Sequence, residues 1–445
     1  MTTAALLLTA CSDNDSFSTD SSLRLTFSTD TVRLDTLFAE VPSVTYTFWI
    51  YNRANDGLRI KTARLEKGNQ TGFRVNLDGT FLNPVGQDFE VRKGDSLRVF
   101  VEITSYESHS VEPQLVEDNL LLTLESGVEQ KVNLRTYSWD ALKMTNLEVE
   151  EDMTIESEKP LILYGGGIYI AKGATLTLRN TELYFHDEAG ILVDGRLVAD
   201  NCLLRGDRLD YMFDYLPYDR VSGQWPGIAI LGNAEGCWLT DTEVRNTWNG
   251  IWADSTQVVL VNSIIHNCRG HALYAKHSKV MLDYVQLSNA EQDCLSLLGC
   301  EAVVNHCTLA QFYPLVGGRG AALRYEATTW PMILDCRNTL VTGYDDNVVK
   351  VNKDDEDDKG DKGDKEKKGE LRYYFENCLL RTPEVTEEEA SYVNILWESP
   401  KDEFQGKQHF LTFDEDNLVY DFTIVQESPA YERRIGKAFV VKPEE

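Results

Sequence analysis

The chain has 445 residues, enough for two or three domains and a large core. Its 43 Lys and Arg against 72 Asp and Glu leave a net charge of −29, which argues against a nucleic-acid surface and disfavours unassisted binding of a polyanion. No segment reaches the roughly 18–20 apolar residues of a membrane-spanning helix, and the nine cysteines include no CxxC pair.

The N-terminal run Leu6-Leu7-Leu8-Thr9-Ala10-Cys11 is an apolar stretch that meets two small residues and a cysteine. It resembles a bacterial lipobox, which implies lipidation at Cys11. A complete signal needs a basic region before the apolar run, and the first basic residue is Arg24. The missing part is therefore expected upstream of Met1. The Ser/Thr/Asp stretch that follows Cys11, up to about Ser22, has too little apolar surface to fold. Residues 1–22 are predicted to be a signal remnant and tether. The expected location is the cell envelope, outer membrane or cell surface, with the membrane reached through the lipid.

Residues 23–140 alternate with period two. "LRLTFS", "VTYTFWIYN", "LRIKTARLE", "FRVNLDG", "SLRVFVEIT", "NLLLTLES" and "QKVNLRTY" read as half-buried strands. Asn55-Asp56-Gly57, Lys93-Gly94-Asp95 and Ser126-Gly127 supply turns. This pattern predicts an Ig-like β-sandwich. The order of its strands resembles the Ig-like modules related to those of the abnormal-spindle and Hydin proteins, which implies a spacer or interaction module.

From 141 onward the sequence repeats. "TLTLRNTELYF", "RLVADNCLLRG", "CWLTDTEVRNT", "VVLVNSIIHNC", "VMLDYVQLSNA", "AVVNHCTLAQF", "ILDCRNTLVTG" and "YYFENCLLRTP" superimpose on Thr181, Cys202, Thr242, Ser263, Val285, Cys307, Asn338 and Cys378. Steps of 21 and 22 residues recur, interrupted by longer ones. A short period built mostly of strand is the mark of a solenoid. A second strand in "GIWAD", "ALYAK" and "CLSLL" puts Ile251, Leu273 and Leu295 in register. The prediction is all-β: the sandwich followed by a right-handed single-stranded parallel β-helix over 141–445. In the Asn338 repeat Asp335 falls on an apolar position, so a bulge near Cys336 is expected.

Asn or Asp precedes the aligned column at Asn180, Asn201, Asp241, Asn262 and Asn377. These types best tolerate the αL conformation that a sharp turn needs. The stack resembles the asparagine ladder of pectate-lyase-like β-helices. Near the C-terminus, Asp421-Phe422 followed by Ser428-Pro429-Ala430 resembles the closing coil of bacterial β-helix proteins. Together with the lipobox, these features resemble a Bacteroidetes-like lipoprotein. Cys202, Cys307 and Cys378 fall on the column and Cys237 five residues before it. No two of the column cysteines lie in consecutive coils, so at about 4.8 Å per coil their Cα atoms would be about 9.6 Å apart or more, beyond the disulfide limit of ~7 Å, and buried free thiols are expected.

Three insertions interrupt the period, at 206–227, 312–330 and 352–370. The first holds Tyr211, Phe213, Tyr215, Tyr218 and Trp225 beside Asp214. Aromatic faces stack on sugar rings and carboxylates accept hydroxyl bonds, so these residues form the candidate ligand-binding loop; a flap packed on the solenoid is the plainer alternative. Arg319, Arg324, Asp335, Asp345 and Asp346 surround the second insertion. Adjacent strand residues face opposite ways, which weakens Asp345-Asp346 as a catalytic pair, and the polygalacturonase-like NTD, DD, GHG and RIK set is not reproduced. His266, His271 and His277 fall at different points of a coil and lack a metal-ligand frame. No cofactor is implied; only the acidic start of the third insertion could collect Ca²⁺ loosely.

The expected role is a lipid-anchored envelope protein that binds a polysaccharide or envelope protein partner without turning it over. A polysaccharide lyase or glycoside hydrolase, and a structural or adhesive surface protein, are the alternatives.

Overall fold

The computed structural model describes residues 16–213, 215–351, 369–386 and 389–438. Cys11, Asp214 and most of the third insertion lie outside them. The chain divides into two compact units, Met1–Asp140 and Ala141–Glu445.

The first unit has two sheets. One runs in the order Thr26–Phe27, Tyr46–Tyr51, Ser96–Ile103, Phe73–Leu77, Thr80–Phe81. The other runs Thr31–Arg33, Glu129–Trp139, Gln114–Leu124, Leu58–Leu65, Val85–Val91, with Leu37–Phe38 also against Glu129–Trp139. Period-two alternation sends Phe48, Ile50, Val99 and Val101 of one sheet and Ile60, Leu120, Leu122 and Leu134 of the other into one core. All seven segments read from the alternation contain strands. Val85–Val91 was not among them, because Gly86 and Asp88 break its pattern and Asp88 sits at φ 57°. Part of the expected tether is held rather than free. Phe17 bridges to Gly57, and Arg59 lies over its ring at 4.5 Å.

The second unit is a solenoid with three parallel strand faces. Face one includes Gln257–Val261, Lys279–Asp283 and Glu301–Asn305; face two Ile264–Cys268, Gln286–Ala290 and Thr308–Gln311; face three Leu273–Lys276, Leu295–Leu298 and Leu323–Glu326. The interior consists of like residues stacked coil on coil. Val258, Val280 and Ala302 stack on face one, Ile265, Leu287 and Leu309 on face two, and Leu273, Leu295 and Leu323 on face three. All nine are buried, so each added coil extends one apolar core.

The turn from face one to face two explains the Asn column. Asn180, Asn201, Asp241, Asn262, Tyr284, His306, Asn338, Asn377 and Asn394 all adopt αL, with φ between 45° and 57°. Amides bond between coils, as in Asn201 Nδ2 to Asn180 Oδ1 at 2.9 Å and Asn377 Nδ2 to Asn338 Oδ1 at 2.8 Å. Tyr284 and His306 interrupt the series and stack instead, 4.7 Å apart and 4° from parallel.

This turn also corrects the alignment of one repeat. Asn338 is the turn residue, and Thr339 occupies the inward column, since Thr308 pairs with Leu340 and Leu309 with Val341. Leu334 and Cys336 then point inward and Asp335 outward, so the expected bulge is unnecessary. Two insertions also shorten. Trp225 opens the face-three strand Trp225–Ile230, and Leu323–Glu326 is a face-three strand inside the expected second insertion.

Cys202, Cys237, Cys268, Cys294, Cys300, Cys307, Cys336 and Cys378 are buried and free. Burial pushes the Cys268 and Cys307 thiols up to about 12, so they pack as small apolar groups. At the C-terminal end, Phe410–Asp414 pairs with Val419–Ile424, and Phe422 and Ile424 join Phe312 and Ile435 in a separate apolar cluster.

Candidate ligand-binding site

On face three the residues facing outward form a row in register. Leu192, Ala229, Trp252, Tyr274, Ser296 and Arg324 lie on successive coils. The Trp252 and Tyr274 rings stack at 3.9 Å, 17° from parallel, and Trp252 is 40% exposed. Earlier on the same strand, Thr247–Asp254, Trp248 is 49% exposed, with the Arg269 guanidinium 4.7 Å from its ring centre. Large exposed aromatic faces cost hydration free energy, so an aromatic platform on a rigid parallel sheet is a marked feature.

Glycines keep the adjoining floor low. A Cβ on Gly227, at φ 95°, would lie 1.6 Å from the Asn249 carbonyl oxygen, and one on Gly190 would press on Pro226 at 3.2 Å. The backbones pack closely, and a groove of about 520 Å³ opens between them, Trp248 and Trp252. Asp187, Glu188, Gln224 and Asn249 add acceptors and donors to its lining. Apolar faces with a few convergent polar groups are what a sugar-sized ligand requires.

His271 lies beside the platform, its ring 5.2 Å from that of Tyr274. Its Nδ1 accepts the Asp293 backbone N–H at 3.2 Å, which assigns the proton of the neutral ring to Nε2. Burial lowers its pKa, Arg324 adds to the effect, and Asp293 opposes both. The imidazole is thus a neutral hydrogen-bonding group. Asp293 itself is fixed: Arg324 Nε donates to Oδ2 at 2.7 Å, while Arg324 Nη2 at 3.2 Å and the Ala321 N–H at 2.7 Å donate to Oδ1.

The residues singled out from the sequence are placed differently. Trp225 is 1% exposed, its indole stacked on Phe185 at 4.1 Å and its Nε1 donating to the Arg245 carbonyl. The strand that begins at Trp225 turns the ring into the core, while the residue itself stands in the lining of the groove. Tyr218 is partly covered by the Arg208 guanidinium at 3.8 Å. Tyr211, Phe213 and Tyr215 remain exposed on a small hairpin, where Phe213 and Tyr215 stack at 5.7 Å.

The charged residues around the second insertion do not converge. Arg319 holds the Tyr313 and Val316 carbonyls, Arg324 holds Asp293, and Asp335 pairs with Arg337. The Asp345 carbonyl and the Asp346 carboxylate both receive Arg381. His266, His271 and His277 lie on face two, on the turn after it, and on the turn after face three. Among the described residues no three His, Cys, Asp or Glu side chains are grouped to hold a metal.

The residues that build the groove were within reach of the sequence. Ile251 and Leu273 were placed in register on one strand; as apolar residues at equivalent positions they take the inward side, and their neighbours Trp252 and Tyr274 then face outward.

Residues 138–309 match the family model described as a right handed beta helix region. No curated protein matches the chain. Among solved structures, the β-helix-bearing chain aligns with the catalytic unit of a thermostable GH87 α-1,3-glucanase from Streptomyces thermodiastaticus strain HF3-3, over 79% of this chain and 89% of that one, at 9% identity and TM-score 0.30. A protein of unknown function from Porphyromonas gingivalis W83 aligns over 28% of this chain at 13% identity and TM-score 0.20, and the alignment spans 59% of that protein's length. A family 123 glycoside hydrolase from Clostridium perfringens aligns over 30% of each chain at 6% identity and TM-score 0.21.

Proposed function

We propose that this protein is a lipid-anchored cell-envelope protein that holds a polysaccharide along face three of its β-helix without turning it over. The observation that carries the reading is the Trp252–Tyr274 stack, held on consecutive coils beside the groove. Aromatic rings present their faces to the apolar side of sugar rings, while Asn249, Gln224, Glu188 and His271 supply hydroxyl partners. The exposed Phe213–Tyr215 pair offers a further aromatic contact. Asp293, tied to Arg324 through both oxygens, is a support rather than a free acid.

In this reading the first unit is an Ig-like spacer and Cys11 carries the lipid. The two-sheet packing and the Leu8-Thr9-Ala10-Cys11 run support those parts. Mass spectrometry of the mature N-terminus tests the anchor, and an unmodified Cys11 removes it.

Asp187 and Glu188 at the groove favour one second reading, a glycoside hydrolase that uses paired carboxylates. One experiment separates the two. The purified full chain is applied to a polysaccharide array while released reducing ends and unsaturated products are assayed. Retention without product supports binding; product establishes an enzyme; no retention on any polysaccharide sinks both.

A further inference from the structure

A second cavity, of about 430 Å³, lies over face two and shares no lining residue with the groove. Its floor is the outward side of that face, where Glu243, Ile264 and Gln286 stack on successive coils with Arg245 and His266 beside them. Its walls come from three segments outside the repeating coils. Asp219 and Arg220 belong to the first insertion, Pro314 to the second, and Leu418 to Phe422 to the C-terminal hairpin. Arg220 Nη1 donates to the Asn417 carbonyl and ties the first wall to the third.

The carboxylates that line this site, Asp219, Glu243 and Asp421, are balanced in number by Arg220, Arg245 and, below them, Arg205. Arg245 Nη2 lies 3.2 Å from Asp219 Oδ1 and its Nη1 3.3 Å from Glu243 Oε1, while Arg205 Nη1 holds Asp219 from below at 2.7 Å. The His266 Nδ1 shares a 2.9 Å hydrogen bond with Ser288 Oγ. Burial, with Arg245 adding to it and Asp219 opposing, pushes this imidazole down to about 4, so it is neutral near pH 7. The lining thus carries no excess of either charge that would select an ion. What remains are hydrogen-bond donors and acceptors facing an aromatic wall, since Tyr420 and Phe422 lie 6.4 and 6.1 Å from the His266 ring. Asn289 also lines the cavity, and its Oδ1 is buried without a hydrogen-bond partner among the described residues. A buried acceptor left unpaired is costly.

We propose that this cavity binds a single uncharged sugar or polyol unit, at a site separate from the groove on face three. Volume, balanced charge, mixed donors and acceptors, and an aromatic wall all suit a compact hydroxyl-rich molecule.

The test uses the full chain with glucose, galactose, N-acetylglucosamine and myo-inositol at millimolar concentration, read by saturation-transfer NMR. At least one receives saturation from the protein. With the face-three groove silenced by Trp252→Ala, Ile264→Trp fills the cavity from its floor and removes the remaining transfer. Gln286→Ala weakens binding about three- to tenfold, the size of one hydrogen bond, and decides the matter if Ile264→Trp does not fold. Met281→Ser, on the exposed side of face one, leaves the transfer unchanged. No transfer to any of the four, or transfer undiminished in both face-two variants, overturns the proposal.

Discussion

The imidazole of His409 and the carboxylate of Glu398 meet in the interior of the C-terminal cap, Nε2 to Oε2 at 3.0 Å. On its other side His409 Nδ1 bonds Ser428 Oγ at 2.8 Å. Serine, histidine and glutamate in line resemble a nucleophile relay. Burial decides otherwise: Ser428 is 1% exposed and His409 0%, so no substrate reaches the hydroxyl. Ser428 instead caps the helix Pro429–Glu432, accepting the Ala430 N–H. This gives the Ser428-Pro429-Ala430 motif a physical role: it fixes the last helix to a buried acid.

Glu398 gathers the rest of the cap. It accepts from Arg381 Nη1, from the Gly406 N–H at 2.8 Å and from Thr342 Oγ1 at 3.0 Å. Burial alone would raise its pKa, but His409 and then Arg381 outweigh it and hold the carboxyl below its ordinary value. A depressed acid stabilises the fold above its unfolded pKa of about 4.3 and loses that contribution as pH falls through the folded value. Glu398→Gln leaves the buried Arg381 with only the exposed Asp346 carboxylate, 3.2 Å away, as countercharge, so it should cost about 2–3 kcal/mol at pH 7. It should also flatten the fall in stability on the acid side. Unfolding measured from pH 7 down to about pH 3 checks both; an unchanged acid limb would remove Glu398 as its source.

The Asn turn separates backbone strain from side-chain bonding. Asn201 sits at φ 53° and bonds Asn180 at 2.9 Å. Asn201→Gly relieves the strain and loses only the bond, for about 1 kcal/mol. Asn201→Ala loses both and should cost about 2 kcal/mol. Equal melting temperatures for the two variants would show that αL strain contributes nothing here.

How much of this was legible depended on the physical signal behind each element. Period-two alternation and a 21- to 22-residue step mark the strands and coils because apolar burial imposes both. The one-residue slip at Asn338 arose because an Asn was matched to the inward column when its conformation assigned it to the turn. The burial of Trp225 was hidden for a related reason: an insertion's end has no periodicity, so a core indole and a surface indole look alike in sequence. The groove was hidden differently. Trp252 and Tyr274 come together only through stacking of coils 22 residues apart, and attention to inward positions passes over their outward neighbours. The convergence of Asp219, Arg245, His266 and Tyr420 depends on where two separate segments fold back, which no local pattern encodes.

Two tryptophans should behave in opposite ways. Trp252→Ala removes a half-exposed ring stacked on Tyr274, so stability should fall by about 1–2 kcal/mol while polysaccharide retention falls about tenfold or more. Trp225→Ala opens a cavity beside Phe185 and should cost about 3–5 kcal/mol. Parallel melting curves and retention assays read both. Undiminished retention by folded Trp252→Ala would take the groove out of glycan binding.

His266 gives a second pH dependence, on the other side of the Glu398 window. Arg245 and Asp219 are the charged groups acting on it, Ser288 bonds its Nδ1, and Tyr420 and Phe422 pack near its ring. Its folded value of about 4 lies below the 6.5 of an unperturbed imidazole. Between those values the unfolded chain binds the extra proton, so stability must fall as pH drops from about 6.5 to about 4. The contribution is on the order of 3 kcal/mol. His266→Gln cannot take up that proton and should show a flatter profile across this window, with Glu398 still acting below it. A slope identical to that of the unaltered protein between pH 6.5 and pH 5 would assign the titration to another group.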